Sequence, residues 1–264
     1  MPKPSLGVHV HDFRTDPKSG LQRAARLGFG SVELRTLEGD LAPRNLSPSG
    51  RRHLVRYVRD LGLHLAALDA DFGATAFADP ARVDACISAT VDVLALAREL
   101  GVPVVTGCVG RLARDAADRQ EAVLAALRAV GERADTIGTV FAVTSACNSP
   151  ELIRGLVDTL DCPSIRVCAD PGALVMEGYD PQAAAELLAD RVILSHARDG
   201  LMGSPDRGGR EVALGQGQVN WLRYLMTLSA AGYSGPQILR RTDSQRPEED
   251  LAAAKAVLEE HLSM

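Results

Sequence analysis

Residues 164–200 read SIRVCADPGALVMEGYDPQAAAELLADRVILSHARDG. An apolar run at 164–169 leads into Asp170, a helical pattern follows near 181–189, and a second apolar run at 191–196 ends in His196. Strand, amphipathic helix and strand in that order form the unit of a parallel α/β fold. The same unit repeats outward in both directions. Strand-sized runs stand at 6–11, 31–35, 63–69, 102–107, 139–144 and 236–240, with helical patterns near 18–27, 48–61, 80–100, 115–137, 149–160, 218–231 and 247–262. Gly28, Gly62, Gly101, Gly138 and Gly232 stand where left-handed helix ends are wanted. Ser47, Asp79, Ser149 and Asp180 each precede a proline at a first helical position. Eight strands alternating with eight helices, without a Pro/Gly/Ser-rich linker, predict one (β/α)8 barrel domain over residues 1–264; a doubly wound sheet would rarely need eight such units.

Composition narrows the function. The 264 residues carry a net charge of -5, are 46% hydrophobic and 24% charged, and include one Trp and five Phe. That balance disfavours a nucleic-acid partner, which needs a basic surface and stacking aromatics. No apolar stretch approaches the roughly 18 residues of a spanning helix, and MPKPSLGVHVHD at the start has no signal-peptide core, so no membrane partner and a cytoplasmic location are expected. The five cysteines, Cys86, Cys108, Cys147, Cys162 and Cys168, form no CxxC pair and read as free buried thiols. The three lysines, Lys3, Lys18 and Lys255, stand at none of the strand ends, which removes Schiff-base chemistry.

In a barrel the function sits at the C-terminal strand ends, and alternation decides which side chains enter the interior. With Val8, Val10, Val32 and Leu34 facing the helices, His9, His11, Glu33 and Arg35 turn inward. The same alternation nominates Asp69, Asp71, Thr144, Asp170, His196 and Arg240. For His9 and Glu33 a hydrogen-bonded core role and a functional role both stand, and for Asp69 and Asp71 a turn-capping role stands beside the functional one. Cys168 reads as core packing. The loop 196–218, HARDGLMGSPDRGGREVALGQGQ, adds Arg198 and has the glycine content of a lid, although its RDG and GGR clusters also read as solvated turns.

The segments ARLGFGSVELR (25–35), LAPRNLSPSGRRHLVRYVRDLGLHLAAL (41–68), ADPGALVMEGYDP (169–181), LSHARDG (194–200) and VALGQGQVNWLRYLMTLSAAGYSGPQILRR (212–241) together resemble the xylose-isomerase-like TIM barrels, the sugar phosphate isomerase/epimerase family. The resemblance spans nearly the whole chain. It implies isomerisation or epimerisation of small sugars through an enediolate. It also implies one divalent metal, manganese, magnesium or zinc, held by a Glu after the fifth strand, an Asp after the sixth, a His after the seventh and a Glu after the eighth. The Asp and His positions fall on Asp170 and His196. The two Glu positions fall on Thr144 and Arg240, and a sugar-contacting His position falls on Ala173.

Two ligands beside a guanidinium make a poor divalent site, so no metal cofactor is expected; if one is bound, Asp170 and His196 are its ligands. The expectation is that Arg240 pairs with Asp170 and serves as electrophile, with His196, Asp170, Arg240 and His11 catalytic. His9, Glu33, Arg35, Thr144 and Arg198 would bind a small-molecule substrate. A lyase or dehydratase on the same scaffold and a non-catalytic ligand-binding barrel are the alternatives. Relatives are often dimers or tetramers, which leaves a homo-oligomer open.

Overall fold

The computed structural model describes residues 5–73, 76–112, 117–204 and 206–263. Eight parallel strands close a barrel: β1 (Leu6–His9), β2 (Ser31–Arg35), β3 (His64–Asp69), β4 (Val104–Gly107), β5 (Val140–Thr144), β6 (Ile165–Ala169), β7 (Val192–Ala197) and, last in the chain, β10 (Gln237–Leu239). Closure comes from the pairing of β10 with both β1 and β7. Between β7 and β10 runs an antiparallel ribbon of β8 (Asp199–Leu201) and β9 (Arg210–Val212). The (β/α)8 expectation is correct. Among the described residues no helix is long and apolar enough to cross a membrane.

Local chemistry sets most helix starts. Ser47 Oγ accepts from Gly50 N at 3.1 Å to open α2 (Pro48–Asp60), and Ser149 Oγ accepts from Leu152 N at 3.2 Å to open α5 (Pro150–Leu160). All five glycines expected to end helices have positive φ. Asp79 behaves differently: it caps a turn through Ala81 N, and α3 (Val83–Leu100) starts three residues later than the Asp-Pro signal suggests. The first residues of the expected 115–137 helix, 115 and 116, lie outside the described residues, and α4 runs Ala117–Ile137.

Three departures from the sequence reading matter for the site. β1 stops at His9 instead of reaching residue 11, because Val10–Phe13 form a turn of 3-10 helix closed by Arg14 at φ 53°. A short helix, α6 (Pro171–Met176), starts directly after β6 with Asp170 as its cap. It packs backbone to backbone on residues 198–199, so tightly that a Cβ on Gly172 would overlap the Arg198 carbonyl. Finally, the helix expected from 218 starts at Trp221 as α8 (Trp221–Ala230), because residues 215–219 are held by Asp199.

Asp199 is buried and ties the chain after β7 into a knot. Its Oδ1 accepts from Gly200 N (2.9 Å) and Val219 N (3.3 Å), and its Oδ2 from Gly215 N (2.9 Å), Gly217 N (3.1 Å) and Trp221 Nε1 (3.2 Å). The RDG cluster is therefore no solvated turn. Leaving buried donors without an acceptor costs about 1–3 kcal/mol each, partly relieved by relaxation. Asp199→Ala is expected to lower the unfolding free energy measured in urea by about 3 kcal/mol or more. A loss under about 1 kcal/mol would show that the knot does not hold the loop.

Candidate functional site

The barrel interior is layered. Ala67, Val104, Ala142, Cys168, Leu194 and Ile238 form an apolar plug, which bears out the packing role of Cys168. One step up the alternation every barrel strand supplies a polar group: His9, Glu33, Asp69, Thr106, Thr144, Asp170, His196 and Arg240. Glu33 and Asp170 are 0% exposed and His196 is 2% exposed. Buried charges persist only when paired, and these are.

His196 stands between two carboxylates. Its Nε2 lies 2.8 Å from Glu33 Oε2, and Thr106 Oγ1 donates to the other Glu33 oxygen at 2.6 Å. Its Nδ1 is 3.6 Å from Asp170 Oδ2 and has no hydrogen-bond partner. Burial disfavours the imidazolium, but the Cys168 sulfur, Glu33 and Asp170 outweigh it and hold the His196 pKa well above its ordinary value. Burial also keeps the Cys168 thiol protonated, so the two carboxylates carry the effect near neutral pH.

Three hydrogen bonds hold Asp170. Its Oδ1 accepts from Ala173 N at 2.9 Å and from Arg198 Nε at 3.2 Å, while its Oδ2 accepts from Arg198 Nη2 at 2.5 Å. Despite complete burial, the Arg198 guanidinium and then His196 hold this carboxyl far below the usual range. The expected Arg240–Asp170 pair is thus corrected: Arg198 makes that contact. Arg240 Nε donates to Asp12 Oδ2 at 2.9 Å, because the turn after β1 carries the Asp12 carboxylate to the end of β10.

Asp12 joins a second chain of contacts. Its Oδ1 is 3.2 Å from His9 Nδ1, and His9 Nε2 is 3.0 Å from Asp69 Oδ2. Burial and Arg240 oppose charge on His9, but Asp12 and Asp69 prevail and raise its pKa. Burial would raise the Asp69 carboxyl, yet the His9 hydrogen bond and charge bring it down to about 2. Asp69 Oδ1 also accepts from Asp71 N at 2.7 Å, so the turn-capping and ring-pairing roles coexist.

His11 is not in the ring. The turn after β1 sends it to the exposed rim, where it lines a cleft of 330 Å³ with Arg35, Leu34, Glu38 and Leu41. Burial, His9 and Arg35 lower its pKa. His9, Glu33, Thr144, Asp170, His196 and Arg240 stand where alternation placed them, with Arg198 above Asp170 and Arg35 at the half-exposed rim.

With this geometry in hand, the chain can be compared with known proteins. The model of the family described as xylose isomerase-like TIM barrel matches residues 21–261. The chain belongs to the xylose isomerase-like TIM barrel family. No curated protein matches it in sequence. Among solved structures it is similar to a xylose isomerase domain protein from Planctomyces limnophilus (TM-score 0.85, 19% identity, 98% of this chain and 97% of that one). It is also similar to a D-tagatose 3-epimerase-like protein (0.81, 21%, 98% and 97%) and to a xylose isomerase-like TIM barrel protein from Mycobacterium smegmatis in complex with magnesium (0.77, 15%, 99% and 97%).

For a xylose isomerase-like barrel the donor set is unusual. A zinc-type site draws three or four protein ligands, and even a magnesium ion, which keeps several waters, needs a carboxylate oxygen free to bind it. Thr144 and Arg240 stand where the resemblance implies two glutamate ligands, and the Asp170 oxygens already accept from Arg198 and Ala173. Among the described residues no group of three or more His, Cys, Asp or Glu side chains is placed to hold an ion. These residues do not fit the metal of the family.

Sequence reasoning missed Asp12, Thr106, Asp199 and Glu211. Thr106 was reachable, since it follows Val104 by two on β4, but it hides in an apolar run. Glu211 accepts from Arg241 Nη1 (2.7 Å) and from Thr242 N (3.2 Å), fastening the ribbon to the β10 end. Only the fold brings those segments together.

Histidine titration followed by NMR checks the electrostatics. His9 and His196 are expected to stay protonated above pH 6.5, and His11 to lose its proton below it. A folded-state pKa above the unfolded one stabilises fully below pH 6.5 and less as pH rises through the raised value, so stability should fall on the alkaline side. The Asp69 contribution runs oppositely, present above pH 3.8 and lost as pH falls toward about 2. His196→Asn should flatten the alkaline decline; an unchanged decline would contradict the assignment.

Proposed function

We propose that the protein is an isomerase or epimerase-like enzyme for a small sugar or other hydroxy-carbonyl compound, moving protons at the C-terminal mouth without a divalent ion. The observation that carries this reading is the unbroken polar ring above an apolar plug, with one nitrogen of His196 facing Asp170 but making no hydrogen bond. A barrel with only a structural task gains nothing from burying such groups, since apolar side chains would pack there at equal or lower cost. The likeness to a D-tagatose 3-epimerase-like protein supports a polyhydroxylated substrate.

The geometry supports the following roles. Glu33 holds His196 through Nε2, and Nδ1–H of the imidazolium, which makes no hydrogen bond and faces Asp170 Oδ2 at 3.6 Å, is the donor proposed for a substrate oxygen. Arg198 and Arg240, each with a 15% exposed side chain, supply fixed positive charge for an oxyanion as it develops. His11, whose pKa is lowered, is the base proposed to remove a proton beside the carbonyl from the rim, its ring 6.3 Å from that of His9, so that the substrate spans rim and ring. Asp170 orients both His196 and Arg198. Thr144 and Arg35 contact substrate hydroxyls, while His9 and Glu33 complete the wall beneath them.

Proton exchange is the test. Ketoses, aldoses and hydroxy-acids incubated with the protein in D2O and EDTA are expected to gain deuterium beside the carbonyl, followed by NMR. His196→Asn should slow this at least 100-fold, the scale of a lost general acid. Exchange that needs an added divalent ion, or that survives the substitution unchanged, would sink the proposal.

A further inference from the structure

Two of the five cysteines are brought together by the fold. Cys108 follows β4 and Cys147 follows β5, and their sulfurs lie 3.7 Å apart at the C-terminal end of the barrel. Thirty-nine residues separate them in sequence, so no CxxC spacing announces the pair. Asn148 pins the two loops: its Oδ1 accepts from Leu112 N at 2.9 Å and its Nδ2 donates to Gly110 O at 2.8 Å. Cys86 and Cys168 are buried elsewhere, and Cys168 lies within the apolar plug.

The two thiols are unequal. Cys147 is partly exposed and Cys108 is buried. The Cys108 S–H donates to the Cys147 sulfur, while Gly110 N donates to Cys108 Sγ at 3.3 Å. The hydrogen bond from Cys108 lowers the Cys147 pKa; burial opposes this, Arg111 assists, and Glu177 and Asp71 oppose. Arg111 is itself paired with Glu177 through two contacts of 2.6 Å. The accessible sulfur therefore has the more thiolate character, and the protonated one stands behind it as a resolving thiol.

We propose that Cys108 and Cys147 form a dithiol site at the barrel mouth that reacts with a peroxide and closes to a disulfide. The Cys147 thiolate attacks one peroxide oxygen, an S–O bond forms as the O–O bond breaks, and the leaving oxygen departs as water after protonation. The Cys108 sulfur then attacks Cys147 of the resulting sulfenic acid. The S–S bond forms, the S–O bond breaks, and hydroxide leaves as water with the Cys108 proton. Two thiols lose two electrons and the peroxide gains them. Contact at 3.7 Å leaves side-chain rotation to bring the sulfurs to bonding distance. The closed bridge would tie the β4 and β5 loops covalently, where Asn148 now ties them by hydrogen bonds.

The test uses the full-length reduced protein and one equivalent of hydrogen peroxide. Thiol titration of the unfolded product should fall from five to three, with loss of two hydrogens in the intact mass and one tryptic link between the peptides carrying Cys108 and Cys147. Cys108→Ser should stop at a Cys147 sulfenic acid trapped by dimedone. Cys147→Ser should slow thiol loss about tenfold or more, since the thiolate is the attacking form. Five remaining thiols, a disulfide involving another cysteine, or a dimedone adduct on a different cysteine in Cys108→Ser would overturn the proposal.

Discussion

The buried ion pair of Arg198 with Asp170 organises the mouth of this barrel. Asp170 lies fully inside the protein, where an unpaired carboxylate would cost several kcal/mol. It is held by two of the three Arg198 guanidinium nitrogens and by the first turn of α6. That demand places Arg198 over the barrel and fixes where the chain leaves β7. From there the contacts run outward: Asp199 gathers residues 215–221, Glu211 in β9 grips Arg241 and Thr242, and Arg241 reaches Asp250 at 2.9 Å in α9 (Pro247–His261). A single electrostatic requirement at the centre thus propagates to the last helix.

The fold was legible in the sequence because it rests on repeated local signals. Polar residue before proline, glycine at the helix end and alternation along each strand are properties of a few neighbouring residues, and they identified eight strands in order. Alternation also found most of the ring, since which side of a strand a residue faces depends on parity alone. It failed where parity stopped applying. LGVHVH alternates cleanly and so points His11 inward, but the strand ends at His9 in a 3-10 turn that brings Asp12 onto His9 and Arg240 and His11 to the rim.

The choice between arginines shows a different limit. Arg198 and Arg240 both follow strand ends and are of equal charge and length, so sequence offers no ground for assigning Asp170 to one of them. The decision comes from the turn after β1, which supplies Arg240 with a carboxylate of its own, and from α6, which turns Asp170 toward Arg198. The dithiol was hidden for a similar reason, since adjacency of β4 and β5 in the sheet, not spacing in the chain, joins Cys108 to Cys147. Where the same residue types recur, long-range pairing decides, and it is visible only in the folded chain.

The central claim is the proposal that this site works without a divalent ion, with Arg198 paired to Asp170, a residue that the family resemblance implies as a metal ligand. Metal content per chain tests it most directly, on protein purified without a histidine tag, exposed to manganese, magnesium or zinc and then dialysed. With both Asp170 oxygens engaged by Arg198 and Ala173, content near zero is expected for all three ions, with catalytic proton exchange unaffected. Retention of about one equivalent per chain would contradict it, because Asp170 and His196 would then have to release their present partners and bind the ion.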